Sequence, residues 1–236
     1  MSENIISYVA IFLAIIVVMP AHEYAHAFVA YKSGDYTAKA QGRLTLNPFA
    51  HFDVLGLCML LFAHFGWAKP VPINPYNFKN LKRDYFLVSI AGVVMNIILA
   101  FLFYPIFVLV VYWLSHVSVS ATFWQLAEEL LVETLQYIFA LNLNLAVFNL
   151  IPVYPLDGFR VVEVICSKNP NNKVLRFLKQ YGFIILIVLL GINWMTDYIP
   201  QLVYIDLFGF IMNFFTEILA FPIQAFWNWI FGFILV

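Results

Sequence analysis

Residues 5–28 read IISYVAIFLAIIVVMPAHEYAHAF, and the class of fold turns on how this stretch is read. An apolar run from Ile5 to Met19 passes into His22, Glu23 and His26 and continues to Tyr31. An ionisable side chain deep in a bilayer costs roughly 2.5–3.5 kcal/mol on an insertion scale, so polar groups there mark a functional site or a wet cavity. Ala25-His26-Ala27 loosely resembles a signal-peptide cleavage site, but no basic residue precedes the run. The segment is therefore expected to remain as a membrane helix.

The rest of the chain has the same character. Of 236 residues, 64% are hydrophobic and 11% charged, against about 25% charged in an ordinary soluble domain. No polar stretch is long enough for a separate soluble domain, so a single membrane-embedded domain over residues 1–236 is expected. A net charge of -1 with no basic tract excludes nucleic acid as a partner and leaves the lipid bilayer as the surroundings. Cys58 and Cys166 lack ligand-like spacing and read as ordinary apolar residues. The many Tyr and Trp residues suit an interfacial belt, and His51, His64 and His116 suit loops or interfaces.

Further apolar runs cover Val54–Phe65, Tyr85–Leu114, Thr134–Ile151, Tyr181–Met195 and Leu207–Val236. A helix needs about 20 residues to span the hydrocarbon core. The run from Val54 is too short and reads as re-entrant or interfacial. The last is interrupted at Phe221-Pro222, which leaves open a hairpin of two short helices or an amphipathic pair lying in the interface. The predicted fold is an all-α polytopic membrane protein with about five to six transmembrane or re-entrant helices. Its prolines make Lys69–Pro75 a short extended, β-like segment.

Charge orients these segments. Seven Lys and Arg lie between residues 32 and 83 and five between 160 and 179, which accounts for all twelve; Ser115–Glu133 has none and carries three glutamates. Because cytoplasmic loops are rich in Lys and Arg, the N-terminus is expected outside, with the segments at Ile5 and Thr134 both running inward. His22 lies seventeen residues beyond Ile5, a rise of ~25 Å, and the parallel segment ends in NLIPVYPLDG, residues 149–158. Asp157 thus arrives at a depth similar to that of His22, Glu23 and His26.

Histidines four apart on a helix direct both imidazoles to one side, and HExxH adds a glutamate able to reach water bound to a zinc ion. Zinc lowers the pKa of its water to about 7, and the glutamate takes the proton. Asp157 is the best candidate for a third ligand, since Pro152 and Pro155 break the helix before it, although Asp-Gly is also a common turn pair. One Zn2+ per chain is expected, held by His22, His26 and Asp157 with Glu23 catalytic.

HEYAH at 22–26 with NLIPVYPLDG at 149–158 resembles the site-2 proteases, the intramembrane zinc metalloproteases, in their compact prokaryotic form. GRLTLNPFAHFDVLG (42–56), FGWAKPVPINPYNFKN (65–80) and AGVVMN (91–96) extend the resemblance. The catalytic core then covers about residues 5–165, and additional hydrophobic segments occupy about 181–236. The resemblance implies the roles above for His22, His26, Asp157 and Glu23, and contact of Asn149 with the substrate backbone or oxyanion. Asn96 is a second substrate-side residue, although Val93 stands where the family usually has proline. Pro155 and Gly158 are structural residues at the site, and Phe159 replaces a second glycine found in many members.

The implied activity is hydrolysis of a peptide bond within or near the transmembrane segment of membrane-protein substrates, in a prokaryotic plasma membrane with the active site toward the cytoplasm. Such a helix must unwind before its backbone is reachable. The segment Lys69–Pro75 is placed beside the site as an edge or lid, with Val71 and Ile73 binding substrate; a rigid connector is the competing role. Rival functions are a zinc transporter and an inactive scaffold. Glu23 separates them, because only hydrolysis needs a base.

Overall fold

Small residues set how closely the first helix approaches its neighbours. Helix α1 (Ser2–Lys32) buries Ala10, Ala14, Val18, Ala21 and Ala25, spaced four, four, three and four apart, while Val9, Leu13 and Val17 point outward. In lipid there is little hydrophobic drive between helices, so close contact through alanine faces does the packing. The computed structural model describes residues 2–53, 55–56, 68–117, 122–166 and 172–234. Most of the short run Val54–Phe65, expected as re-entrant or interfacial, lies outside the described residues.

After a short helix α2 (Thr37–Ala40), the chain forms α3 (Leu81–Ser115), α4 (Thr122–Leu150), α5 (Asp157–Ile165), α6 (Lys173–Met195) and α7 (Leu207–Ile234). Among the described residues, five helices are long and apolar enough to cross a membrane: α1, α3, α4, α6 and α7. The all-α polytopic expectation holds. Helices α1, α3 and α4 form the centre, where Ala14, Val18 and Ile138 are buried together against Phe103, Tyr137 and Leu141.

The last apolar run is one helix and not the interrupted pair considered from sequence, since α7 continues through Pro222. Proline within a membrane helix is tolerated where neighbours supply packing and polar partners. Thr216 Oγ1 donates to Asn144 Oδ1 of α4 at 3.2 Å, and Tyr104 Oη of α3 donates to Asn228 Oδ1 at 3.0 Å. Pro105 in α3 has no N–H for the carbonyl of Phe101, and the indole Nε1 of Trp227 fills that vacancy at 2.9 Å. An unsatisfied carbonyl in hydrocarbon would cost several kcal/mol.

The described residues between α2 and α3 include two 3-10 turns, Pro48–Ala50 and Pro75–Asn77. Phe52 and Ala68 form an antiparallel bridge, and Lys69–Pro75 then runs past α1 and α2 as a strap. Val71 is buried with Ala27 and Ala38, with Leu44 and Ile73 packed on them. Helix α3 starts behind a reciprocal cap: the Asn80 side chain accepts from the Arg83 N–H at 3.2 Å, and buried Asp84 accepts from the Asn80 N–H at 2.8 Å.

Candidate metal centre

His22 and His26, one turn apart on α1, face α3 and are both buried. His26 Nδ1 donates to the carbonyl of Val88 at 2.7 Å, and His22 Nδ1 donates to Oδ1 of fully buried Asn96 at 3.3 Å. With each Nδ1 carrying the proton, each Nε2 presents a lone pair. The two Nε2 atoms lie 3.1 Å apart. Such groups repel one another unless a cation lies among them.

Asp157 completes the set. As the first residue of α5 its carboxylate sits at a helix N-terminus, which favours negative charge. Oδ2 lies 3.0 Å from His26 Nε2 and 3.4 Å from His22 Nε2, while Arg160 Nη1 reaches Oδ1 at 3.4 Å. A ligating carboxylate has to be deprotonated.

Two observations show that the three side chains fit a zinc ion. Ligands at about 2.0–2.1 Å from a tetrahedral centre stand about 3.3 Å apart, and the three distances here bracket that value. Gly92 of α3 supplies the space: a Cβ there would collide with His22 Cε1 and His26 Nε2, the edges turned toward the other ligand. Among the described residues this is the one cluster of three or more His, Cys, Asp or Glu able to hold a metal ion.

The other expected site residues are placed as follows. Glu23 is half-buried, and its Oε2 accepts from the N–H of Val71 at 3.1 Å, which fixes the strap beside the site. The side chains of Val71 and Ile73 pack against α1 and α2, so the strap turns its backbone toward Glu23. Asn149 donates from Nδ2 to the Leu145 carbonyl of its own helix at 3.0 Å, and Asn96 lies against His22. The Tyr154–Pro155 peptide is cis, and Phe159 is buried edge-on to Tyr154. Gly158 has no room for a side chain under the carbonyls of Leu150 and Ile151, which allows α5 to begin directly beneath α4. Sequence reasoning had not assigned Gly92 a role; the signal was its four-residue spacing from Asn96, which puts both on one face.

The family model "Peptidase family M50" matches residues 8–189, from the first turns of α1 through most of α6. The chain belongs to peptidase family M50. Members of this site-2 protease family are also its relatives by direct comparison. The inferred zinc metalloprotease YwhC of Bacillus subtilis (strain 168) is 44% identical over 75% of this chain and 78% of its own length. The inferred zinc metalloprotease Rip2 of Mycolicibacterium smegmatis is 29% identical over 84% of this chain and 74% of its own. Rip2 of Mycobacterium tuberculosis (strain H37Rv) is 29% identical over 78% of this chain and 69% of its own. No solved structure matches the chain. The M50 match stops before α7, which the fold nevertheless ties to α3 and α4.

Proposed function

We propose that this chain hydrolyses a peptide bond within or near a transmembrane segment of other membrane proteins, with zinc held by His22, His26 and Asp157 and with Glu23 as general base. The class itself follows from M50 membership and from the span-capable helices: the chain is a multi-pass membrane zinc metalloprotease. The observation that carries the finer reading is the convergence of three buried ligand atoms beside Glu23.

When bound by His22, His26 and Asp157, zinc would supply Lewis acidity, lowering the pKa of a bound water to about 7. The protein's own groups do the rest. Val88 and Asn96 hold the two imidazoles in the tautomer that presents Nε2. Glu23 takes the proton of the attacking water and returns it to the leaving nitrogen, and the Val71 N–H fixes its carboxylate. The substrate meets the site as an extended chain, because a helix shields its own carbonyls. The strap and Asn149 are its proposed contacts, the strap through backbone groups. The Lys and Arg distribution favours a cytoplasmic site and an outside N-terminus in a prokaryotic plasma membrane.

Glu23→Gln keeps the ligands and removes the base, which separates hydrolysis from zinc transport or scaffolding. Membranes of cells expressing wild type or Glu23→Gln are compared for transmembrane fragments, and zinc is measured on both purified proteins. Zinc is expected to stay at one per chain while wild-type fragments vanish; fragments that persist in the variant would sink the hydrolytic reading. Charged residues at Val71 and Ile73 should lower cleavage with zinc unchanged, and undiminished turnover removes the strap from substrate binding.

A further inference from the structure

Asp35 is a carboxylate that neither the metal nor the substrate contacts above account for. It lies three residues beyond the end of α1 and is fully buried, yet no Lys or Arg among the described residues pairs with it. An acid beyond a helix C-terminus faces the negative end of the dipole, so Asp35 is not there to stabilise α1. Its partners are elsewhere. Oδ1 accepts from the Thr37 hydroxyl at 2.5 Å, the Thr37 N–H at 3.1 Å and Asn77 Nδ2 at 2.9 Å; Oδ2 accepts from the Asn74 N–H at 2.7 Å. Burial opposes its charge, but these donors hold its pKa below the ordinary carboxylate value.

Two of those donors belong to the strap region, which is short of N–H groups. Pro70, Pro72 and Pro75 have none. Lys69 donates to the His51 carbonyl at 2.8 Å, Val71 to Glu23 and Asn74 to Asp35, while the Lys69 carbonyl accepts from Arg43. Beyond Asn77, the Lys79 N–H donates to the Ser33 carbonyl at 3.0 Å. The strap is thus pinned to α1 at Glu23 and to the residues just after α1 at Asp35 and Ser33. Only two residues, Pro72 and Ile73, separate Val71 from Asn74. The three steps from Val71 to Asn74 reach at most about 10 Å, and Pro72 stiffens them, so a shift at the Asn74 end is passed on to Val71.

We propose that Asp35 is a positioning residue for Glu23: by clamping Asn74 and Asn77 it holds the Val71 N–H where that group orients the Glu23 carboxylate. The proposal rests on Glu23 being the base. In Asp35→Asn the amide must turn N–H toward one of the donors that Asp35 accepts from, so one clamp is lost at almost unchanged volume. Displacing a reacting group by about 1 Å can reduce rate up to 100-fold, and kcat is expected to fall by about 10- to 100-fold.

The test uses the full-length protein in detergent with the labelled transmembrane segment recovered in the Glu23→Gln comparison. Expected for Asp35→Asn are one zinc per chain, KM within about twofold of wild type, the kcat loss given above, and faster deuterium exchange in residues 69–77. The prolines leave few amides there, so Val71 exchange is readable. Unchanged kcat overturns the proposal; so does a rise in KM at constant kcat, which is the signature of a substrate clamp alone, or loss of zinc. If Asp35→Asn does not fold, Asn77→Ala removes a single donor and must show the same split at smaller size, and unchanged kcat there also overturns it. A wild type that cleaves nothing sinks the protease reading and this proposal together, whereas a cleaving wild type with an equally fast Asp35→Asn sinks the proposal only.

Discussion

One end of α1 carries two buried polar clusters, nine residues apart at His26 and Asp35, and they are completed in opposite ways. Around His22, His26 and Asp157, two lone pairs and a carboxylate oxygen converge within 3.4 Å of one another and every outward-facing nitrogen is already bonded. Around Asp35 four donors converge on one carboxylate. The first cluster has too many acceptors and requires a cation; the second is saturated and requires nothing. Burial of charge does not by itself mark a metal site. The balance of donors to acceptors does.

The largest expected effect falls on the first cluster alone. Asp157→Ala should reduce bound zinc from one per chain to none and abolish proteolysis, while exchange at Asn74 stays slow. Zinc retained at wild-type stoichiometry would mean that Asp157 is not a ligand. Next comes Gly92→Ala. Alanine favours a helix by about 1 kcal/mol over glycine, so the helix itself should gain, while its methyl group meets both imidazole edges. Zinc affinity, measured by competition with a chelator, should fall by more than the 10- to 100-fold typical of losing a partner behind a ligand, and Asn96→Leu should fall within that range. If Gly92→Ala binds zinc normally, the rings are freer than the packing implies.

The smallest effect belongs to the second cluster and depends on pH. Asp35 has a folded pKa below its unfolded value, near 3.9 for a free aspartate. Its contribution to stability is therefore fully present above about pH 4 and is lost as pH falls through the folded value. Amide protection at Asn74 in wild type relative to Asp35→Asn should be constant from neutral pH to about pH 5 and shrink below pH 4. A difference that grows on acidification would contradict the assignment. Chelating zinc should leave this difference untouched, which separates the two clusters.

Much of this molecule was legible in its residues. Apolar runs located the membrane helices because a bilayer allows few ways to satisfy a backbone, and the i, i+4 histidines faced one way because a helix repeats every 3.6 residues. The motif at 149–158 paired Asp157 with them through its depth, its charge and the prolines that break the helix before it. Other features were not legible. Pro222 reads as a break, yet α7 is continuous because α3 and α4 supply packing and polar partners along it. Asn96 reads as a substrate-side residue but sits on His22, and its reach depends on how closely α1 packs on α3.

Asp35 shows the boundary most clearly. In sequence it is one acid in a loop, and a pattern of spacing cannot reveal that Thr37, Asn74 and Asn77 all donate to it. The residues alone fix the solvent, the helices and the facing pair of histidines, because these follow from local periodicity and from what a bilayer tolerates. Tertiary structure alone decided which polar groups complete one another, since hydrogen bonds need donor and acceptor within about 3 Å and only packing brings distant residues that close.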